Sequence, residues 1–251
     1  MNNLNILQCR DTYDSYKKYK GAHLPSLPTK IAIVGKSAIS GKTTILSNLV
    51  NRSEYFGNDF EGSNIYLISK SINSDDKLKN IIKYKEIPEE NLFDSIDDDI
   101  LNLIMDIIKE KYNESIDDEE TPKHSLVILD DISFDSYLSS NKNNNLNELV
   151  CNMRHYLTSC IFTAQKFTQL GTTIRSNCIY FMIFKQSLRE LKCVMGDINY
   201  LSDSKIFKKL FNKSTEGAHD MFICNLDAKP ENIYCQCGDY SNNMIRPAKN
   251  D

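Results

Sequence analysis

Gly41, Lys42 and Thr43 are the residues of this sequence that could most directly bind a nucleotide triphosphate. They follow a short apolar run and a loop of small residues, and a helical pattern begins immediately after them. Backbone N–H groups at the N-terminus of a helix form a concave site for phosphate oxygens. Lys42 would place its ammonium against the outer phosphates, and the Thr43 hydroxyl would be a direct ligand of Mg²⁺. Residues 31–44 therefore predict a strand, a phosphate-binding loop (Walker A) and a helix.

The spacing within this loop differs by one residue from the usual pattern. Four residues normally separate the first glycine from the Gly-Lys pair, whereas Lys36 occupies the expected glycine position here and Gly35 lies one residue earlier. We expect the extra residue to be accommodated between Lys36 and Ile39. An ordinary strand-to-helix turn is the alternative. The predicted nucleotide-binding residues are Gly35, Ser40, Gly41, Lys42, Thr43 and Thr44.

Asp130 and Asp131 end a second apolar run, Ser125 to Asp131 (SLVILDD). Ligands of open α/β sheets bind at the carboxyl ends of the strands, so this pair is typical of a Walker B motif. Asp130 would hold Mg²⁺ through water, and Asp131 would orient or deprotonate the attacking water. A turn or a helix cap is the alternative for this Asp-Asp pair.

Gln165 follows a third apolar run, Ser159 to Ala164. A glutamine at the carboxyl end of a core strand can accept and donate hydrogen bonds at once, so Gln165 could sense the terminal phosphate or orient water. The other interpretation is an ordinary glutamine in a surface loop.

The apolar patterns predict an α/β domain with a core of buried strands, which must hold these side chains together. Predicted strands cover residues 30–34, 64–69, 125–131, 159–164 and 177–184, and a late β-hairpin covers 221–226 and 232–235. Predicted helices follow the phosphate-binding loop and cover residues 96–108, 146–156 and 198–211. We divide the chain into a peripheral arm (1–27), an ATPase domain (28–237) with an acidic helical insertion (about 94–122), and a polar tail (238–251).

Charge is distributed unevenly along the 251 residues, whose net charge is −4. Residues 94–120 contain eleven acidic residues and two lysines, which leaves a modest basic surplus on the rest of the chain. A cluster of cations late in the sequence could face a polyanion, or could simply be the solvated surface of helices. Its members are Lys185, Arg189, Lys192, Lys205, Lys208, Lys209 and Lys213.

Eight cysteines are scattered along the chain, several within apolar runs, which is typical of buried thiols in a reducing compartment. Cys235 and Cys237 form a C-x-C pair, but a zinc site would need a second pair at comparable spacing. The sequence has no apolar run of transmembrane length and no signal-peptide pattern. We therefore expect an intracellular protein in a reducing compartment, with no membrane partner.

The order of these features resembles the poxvirus-type genome-packaging ATPases of the FtsK/HerA superfamily, found in large DNA viruses, virophages and Polinton-type elements. The resemblance runs from about Ile31 to Leu226. It depends on four stretches: GKSAISGKTT, LVILDD, MRHYLTSCIFTAQKFTQLGTTIRSN and IYFMIFK.

This resemblance implies a P-loop NTPase fold of the ASCE type, in which helices flank a mostly parallel central sheet, here with a C-terminal β-hairpin. It also implies an ATP-driven and Mg²⁺-dependent motor, usually a homo-oligomeric ring, that moves double-stranded DNA into a capsid. A capsid or portal protein would be a further partner, and the host cytoplasm, a viral factory or the virion would be the location. Members of the family carry an Arg-His pair, a strand ending in Gln, and a later Arg, which correspond to Arg154-His155, Gln165 and Arg175. Arg154 is the first candidate and Arg175 the second for an arginine finger that reaches the phosphates of a neighbouring subunit.

Two other functions remain open on the sequence alone. A nucleoside or nucleotide kinase would share the phosphate-binding loop, although the sequence shows no arginine-dense lid segment. A catalytically weak nucleotide-binding assembly module would account for the displaced Gly35 and for aspartate, rather than glutamate, at position 131.

Overall fold

The computed structural model describes residues 23–36, 40–131, 144–237 and 246–247. Its strands are β1 (Lys30–Val34), β2 (Ile65–Ser69), β3 (Leu92–Phe93), β4 (Ser125–Asp130), β5 (Thr158–Ala164), β6 (Tyr180–Phe184), β7 (Met221–Asn225), β8 (Tyr234–Cys237) and β9 (Arg246–Pro247). Its α-helices are α1 (Lys42–Asn51), α2 (Asp76–Lys85), α3 (Asp98–Asp117), α4 (Asn144–Cys151), α5 (Thr172–Asn177), α6 (Leu188–Ile198) and α7 (Ser204–Ser214).

The described strands form one sheet in the order β3-β2-β4-β5-β1-β6-β7-β8-β9. The first six of these run parallel to one another, and β7, β8 and β9 continue the sheet in antiparallel fashion. Strand β5 therefore lies between β1, which leads into the phosphate-binding loop, and β4, which ends in Asp130. This inserted strand is the feature that defines the ASCE type, so the predicted fold class is confirmed.

The central strands are mostly apolar and are buried along nearly their whole length, because helices cover both faces of the sheet. Along β1, Ala32 and Val34 face one core, and Ile31 and Ile33 face the other. Helices α1 and α2 pack on the second of these faces. Helices α3 to α7 pack on the first. Alternating side chains of one strand thus reach two separate cores. Because the central strands are parallel, their carboxyl ends lie together at one edge of the sheet.

Several element boundaries differ from the sequence prediction. The predicted strand at 177–184 begins at Tyr180, because Asn177 is the last residue of α5. The predicted helix at 198–211 begins too early: Ile198 is the last residue of α6, which was not predicted, and Asp203 caps α7 by accepting a hydrogen bond from the Lys205 N–H. Helix α2 was not predicted, since Leu78 and Ile81 are its only buried residues. The late β-hairpin forms from β7 and β8 as predicted, although its second strand is Tyr234–Cys237 and not 232–235.

The proposed domain boundaries remain a prediction. Most of the arm and tail (1–22, 238–245 and 248–251) lies outside the described residues. Leu27, at the end of the arm, is buried, and the Tyr180 hydroxyl donates to the His23 carbonyl. The acidic segment is largely α3, whose Leu101, Ile104 and neighbours are part of the core. None of the described helices combines the length and apolar character needed to cross a membrane.

Candidate nucleotide-binding and catalytic site

The carboxyl ends of β1, β2 and β4 open onto a cleft of about 310 Å³. The first turns of α1 and α2 form its other walls. The lining residues are Ser40, Gly41, Lys42, Thr43, Ser71, Asp75, Lys77, Asp130 and Asp131. The structure therefore brings together the Gly-Lys-Thr loop and both carboxylates that the sequence singled out, as expected for the carboxyl edge of an open α/β sheet.

The phosphate-binding loop is held at both of its ends. At the start, the Gly35 N–H donates to the Ala164 carbonyl at 3.0 Å, and the Ser40 hydroxyl donates to the Lys36 carbonyl at 2.6 Å. At the end, Gly41 caps α1 with a φ of 92°, a left-handed conformation that costs glycine little. Residues 37–39 lie outside the described part, so the position of the extra loop residue remains a prediction.

Lys42 lies at the bottom of this loop and is buried. Its ammonium donates to the Gly35 carbonyl at 2.9 Å, which holds the side chain across the start of the loop. Burial lowers the pKa of Lys42, and the charges of Asp131 and Asp130 partly oppose that shift. The ammonium is therefore positioned between the loop and the two carboxylates, where it can face a phosphate.

Asp130 is a buried carboxylate with a hydroxyl donor on each oxygen. Thr163 in β5 donates to Oδ1 at 2.7 Å, and Ser69 at the end of β2 donates to Oδ2 at 3.1 Å. Desolvation by burial raises the pKa of Asp130, against the two hydroxyl donors, which lower it. The neighbouring strands on both sides of β4 thus fix the orientation of this carboxylate.

Asp131 turns away from the strand, and its φ of 46° is left-handed. Aspartate tolerates this conformation better than most residues. Its N–H donates to the Thr163 hydroxyl at 2.8 Å, and its carboxylate accepts from the Gln165 amide at 3.2 and 3.3 Å. Thr163 therefore links both aspartates, and Gln165 holds the second of them.

Five polar residues of this site were not singled out by sequence reasoning: Ser69, Ser71, Asp75, Lys77 and Thr163. Ser69 and Thr163 occupy apolar strand runs, and their partners are visible only from strand order. Asp75 caps α2, with Oδ1 accepting from the Lys77 N–H at 2.8 Å. Asp75 could have indicated the start of α2 from the sequence, because aspartate is a preferred N-cap residue.

The oxygen atoms around Thr43 are suited to a hard cation. The Thr43 hydroxyl donates to Asp75 Oδ2 at 3.4 Å, and Asp130 faces the same cleft. Hydroxyl and carboxylate oxygens are the ligands that Mg²⁺ prefers in proteins. Thr43 and Asp130 therefore fit the assignment as the residues that would hold Mg²⁺.

The two candidate arginines lie away from this cleft and in different surroundings. Arg154 is exposed in a short 3₁₀ turn that precedes β5. Gln165 follows the opposite end of this strand. With a rise of about 3.3 Å per residue along the strand, Arg154 and Gln165 are roughly 20 Å apart. Arg175 instead pairs with Asp197 at 2.6 Å and lies over the Phe167 ring at 5.5 Å. The guanidinium of Arg175 is thus engaged within its own subunit.

A Gly-Lys-Thr loop on α1, paired carboxylates after β4 and an inserted strand β5 together define a P-loop NTPase of the ASCE type with a nucleotide-binding site. Within this class, the chain belongs to the Poxvirus A32 protein family, whose family model matches residues 16–235. Comparison with curated proteins finds no match.

Solved structures show the same fold. The chain is similar to the genome packaging NTPase B204 from Sulfolobus turreted icosahedral virus 2 in complex with AMPPCP, with 12% identity, a TM-score of 0.53, and coverage of 88% of this chain and 97% of that one. It is also similar to EssC (ATPases 2 and 3) from Geobacillus thermodenitrificans, with 14% identity, a TM-score of 0.52, and coverage of 88% of this chain and 40% of that one. The pCW3 conjugation coupling protein TcpA with ATPγS has 11% identity and a TM-score of 0.50, and the match covers 78% of this chain and 56% of that one.

Proposed function

We propose that this protein is a Mg²⁺-dependent ATPase motor that translocates or packages double-stranded viral DNA into a capsid. The observation that carries this proposal is the convergence of Lys42, Thr43, Asp130 and Asp131 on one cleft, in a chain of the Poxvirus A32 protein family. B204, which shares the fold, is described as a genome packaging NTPase and was solved with AMPPCP. A capsid or portal protein is the expected further partner.

The phosphate-binding loop would bind ATP through its backbone N–H groups and the Lys42 ammonium. Thr43 would hold Mg²⁺ directly and Asp130 through water. When bound, Mg²⁺ neutralises the charge of the phosphate oxygens during phosphoryl transfer. The hydroxyls of Ser69 and Thr163 keep the Asp130 carboxylate directed into the cleft.

Asp131 would accept the proton of the water that attacks the terminal phosphate, as a general base. Its left-handed backbone turns it out of the strand and into the cleft. Gln165 donates to the carboxylate and so limits its rotation. A carboxylate held beside the phosphate-binding loop in this way supports hydrolysis rather than nucleotide binding alone.

A ring of subunits would complete the site with an arginine from a neighbour. Arg154 is exposed and lies at the edge of the sheet opposite its own cleft, so it cannot contact a nucleotide bound there. Arg175 is committed to Asp197 and Phe167. We therefore favour Arg154 over Arg175 as the finger that acts across a subunit interface.

A basic surface on α6 and α7 supports DNA as the partner. Helix α7 buries Phe207, Leu210 and Phe211 against the core, and the other side of the helix is exposed. Both helices cover the same face of the sheet. The exposed cations of α6, of α7 and of the segment just before α6, together called the basic face below, are Lys185, Arg189, Lys192, Lys205, Lys208, Lys209 and Lys213. Phosphate contacts of this kind bind DNA without reading its sequence.

The test is an ATPase assay of the full chain with and without double-stranded DNA, alongside light scattering at the same protein concentration. We expect an oligomer whose hydrolysis is stimulated by DNA and abolished by Lys42→Ala. Phosphoryl transfer to a nucleoside without any response to DNA would indicate a kinase. Nucleotide binding without turnover, in an oligomer with DNA present, would indicate an assembly module.

A further inference from the structure

The first turn of α2 contacts both threonines at the start of α1. Asp75 is bonded to Thr43, and Lys77 is bonded to Thr44. Asp75 and Lys77 also line the nucleotide cleft. A third element, outside the two Walker motifs, therefore contributes one anion and one cation to the site.

The two oxygens of the Asp75 carboxylate have different partners. Oδ1 accepts from the Lys77 N–H at 2.8 Å and so caps α2, which fixes the orientation of the carboxylate. Oδ2 accepts the Thr43 hydroxyl proton at 3.4 Å. A hydroxyl that gives its proton to one side presents its lone pairs to the other, and a metal ligand is oriented by an outer-shell acceptor in this way. Asp75 thus turns the lone pairs of Thr43 away from α2 and toward the cleft.

Lys77 has the complementary arrangement. Its ammonium donates to the Thr44 hydroxyl oxygen at 2.8 Å, which tethers an otherwise exposed side chain beside the cleft. An ammonium has three N–H donors, so one bond to Thr44 leaves donors for phosphate oxygens. Lys42 approaches the same cleft from the loop, and Lys77 approaches it from α2.

We infer that the first turn of α2 is a positioning element with two separable roles: Asp75 orients Thr43 toward Mg²⁺, and Lys77 adds a second cation for the phosphates of the nucleotide. This inference rests on the proposed function, because it assigns residues to the Mg²⁺-nucleotide complex of that site. Asp75 acts on the cation through Thr43, and Lys77 acts on the anion directly. The two substitutions must therefore differ in their dependence on Mg²⁺.

The experiment measures binding of a fluorescent ATPγS analogue to the full chain, in EDTA and over a Mg²⁺ titration. Asp75→Asn keeps the cap, since asparagine is an equally good N-cap residue, but presents an amide donor to Thr43. We expect the Mg²⁺ concentration at half-saturation to rise about 10- to 100-fold, with no loss of binding in EDTA, because neutralising a carboxylate in the cleft removes repulsion of the phosphates. The matched control is Asp76→Asn, which removes the same charge from the adjacent exposed residue and should match the wild type.

Lys77→Met should weaken nucleotide binding by about 2- to 5-fold both in EDTA and in Mg²⁺, as expected for a solvent-exposed ion pair. Its control is Lys79→Met, since Lys79 is an exposed lysine of the same helix that pairs with Asp76. The inference is wrong if Asp75→Asn shifts binding equally in EDTA, or if either variant matches its control. A wild-type chain that binds no nucleotide would instead contradict the proposed function.

A double-mutant cycle separates the role of Asp75 from any general loss of structure. If Asp75 acts through the Thr43 hydroxyl, Asp75→Asn should have no further effect on the Mg²⁺ titration in a Thr43→Val background. Additive effects would overturn the assignment. Thermal melting of all variants checks that each is folded.

Discussion

The side-chain amide of Gln165 lies 3.2 Å from one carboxylate oxygen of Asp131 and 3.3 Å from the other, although 34 positions separate the two residues. They meet because β4 and β5 are adjacent and parallel, with Leu129 beside Phe162. Both strands therefore end at the same edge of the sheet. The φ of 46° at Asp131 directs its side chain toward this contact. Residues in sparsely populated backbone regions cluster at active sites, which is consistent with a catalytic role for Asp131.

Asp131→Asn should reduce kcat for ATP hydrolysis by about 10²- to 10⁴-fold, the usual contribution of a general base. Asparagine tolerates positive φ as aspartate does, so the melting temperature should stay near the wild-type value. Steady-state hydrolysis and nucleotide binding, measured on the same samples, separate catalysis from affinity. An unchanged kcat would exclude Asp131 as the base.

Asp130→Asn should stabilise the fold while it abolishes Mg²⁺-dependent nucleotide binding. Burial raises the pKa of Asp130 above its ordinary value of 3.8. The contribution of the Asp130 carboxyl to the free energy of unfolding is therefore fully present below pH 3.8, the ordinary pKa that applies in the unfolded chain. It is lost as the pH rises through the higher pKa of the folded protein. At neutral pH the buried charge destabilises the protein, and its removal should raise Tm by about 2–4 °C per kcal/mol.

Melting curves of the wild type and the variant, recorded about once per pH unit from pH 4 to pH 8, test whether the change in Tm has the expected sign. The gain in Tm for Asp130→Asn should be largest at neutral pH and shrink toward acid pH. A variant that melts below the wild type at neutral pH would show that the hydrogen bonds from Ser69 and Thr163 outweigh the cost of burial.

Gly35→Ala should destabilise the start of the phosphate-binding loop. A Cβ at this position would lie 2.7 Å from the Ser40 Cβ and 2.7 Å from a ring carbon of Phe184, which is itself buried. Overpacking of this kind costs about 1–3 kcal/mol, and displacement of Ser40 should also weaken nucleotide binding. Gly196→Ala is the control, because a Cβ there meets nothing within 4 Å. If the two variants melt alike, the steric argument fails.

Arg154→Ala should lower the rate of hydrolysis in the oligomer by about 10³- to 10⁵-fold, with Tm unchanged, if Arg154 is the finger. Arg175→Ala should instead lower Tm, because it removes the contacts with Asp197 and Phe167. Mixing Arg154→Ala subunits with Lys42→Ala subunits should restore activity, since an intact cleft can then meet an intact arginine. Full activity of Arg154→Ala alone would contradict this role.

Lys205→Gln/Lys208→Gln should weaken binding to double-stranded DNA and reduce its salt dependence. Each lost phosphate contact lowers the slope of log K against log salt by about 0.9. Lys79→Gln/Lys83→Gln is the matched control, because these exposed lysines lie on α2 and on the other face of the sheet. Equal slopes for the two double variants would show that the basic face does not contact DNA.

The sequence by itself determined the fold class, the phosphate-binding loop and the three polar residues at the carboxyl ends of β4 and β5. These features are local: a continuous apolar run marks a strand buried on both faces, and the polar residues just after it mark the strand's carboxyl end. Asp130, Asp131 and Gln165 could thus be assigned to one edge without knowledge of any contact. The same local patterns failed where a helix has few apolar residues, as in α2, or where two helices follow closely, as at Ile198 and Asp203.

Only the tertiary structure decided which side chains complete the site. Ser69 and Thr163 reach Asp130 because β2 and β5 flank β4, and the order of strands is not written in any local pattern. Asp75 and Lys77 reach the threonines of α1 because α1 and α2 pack on the same face of the sheet. Long-range contacts of this kind depend on the packing of whole elements, and so they appear only when the chain is folded.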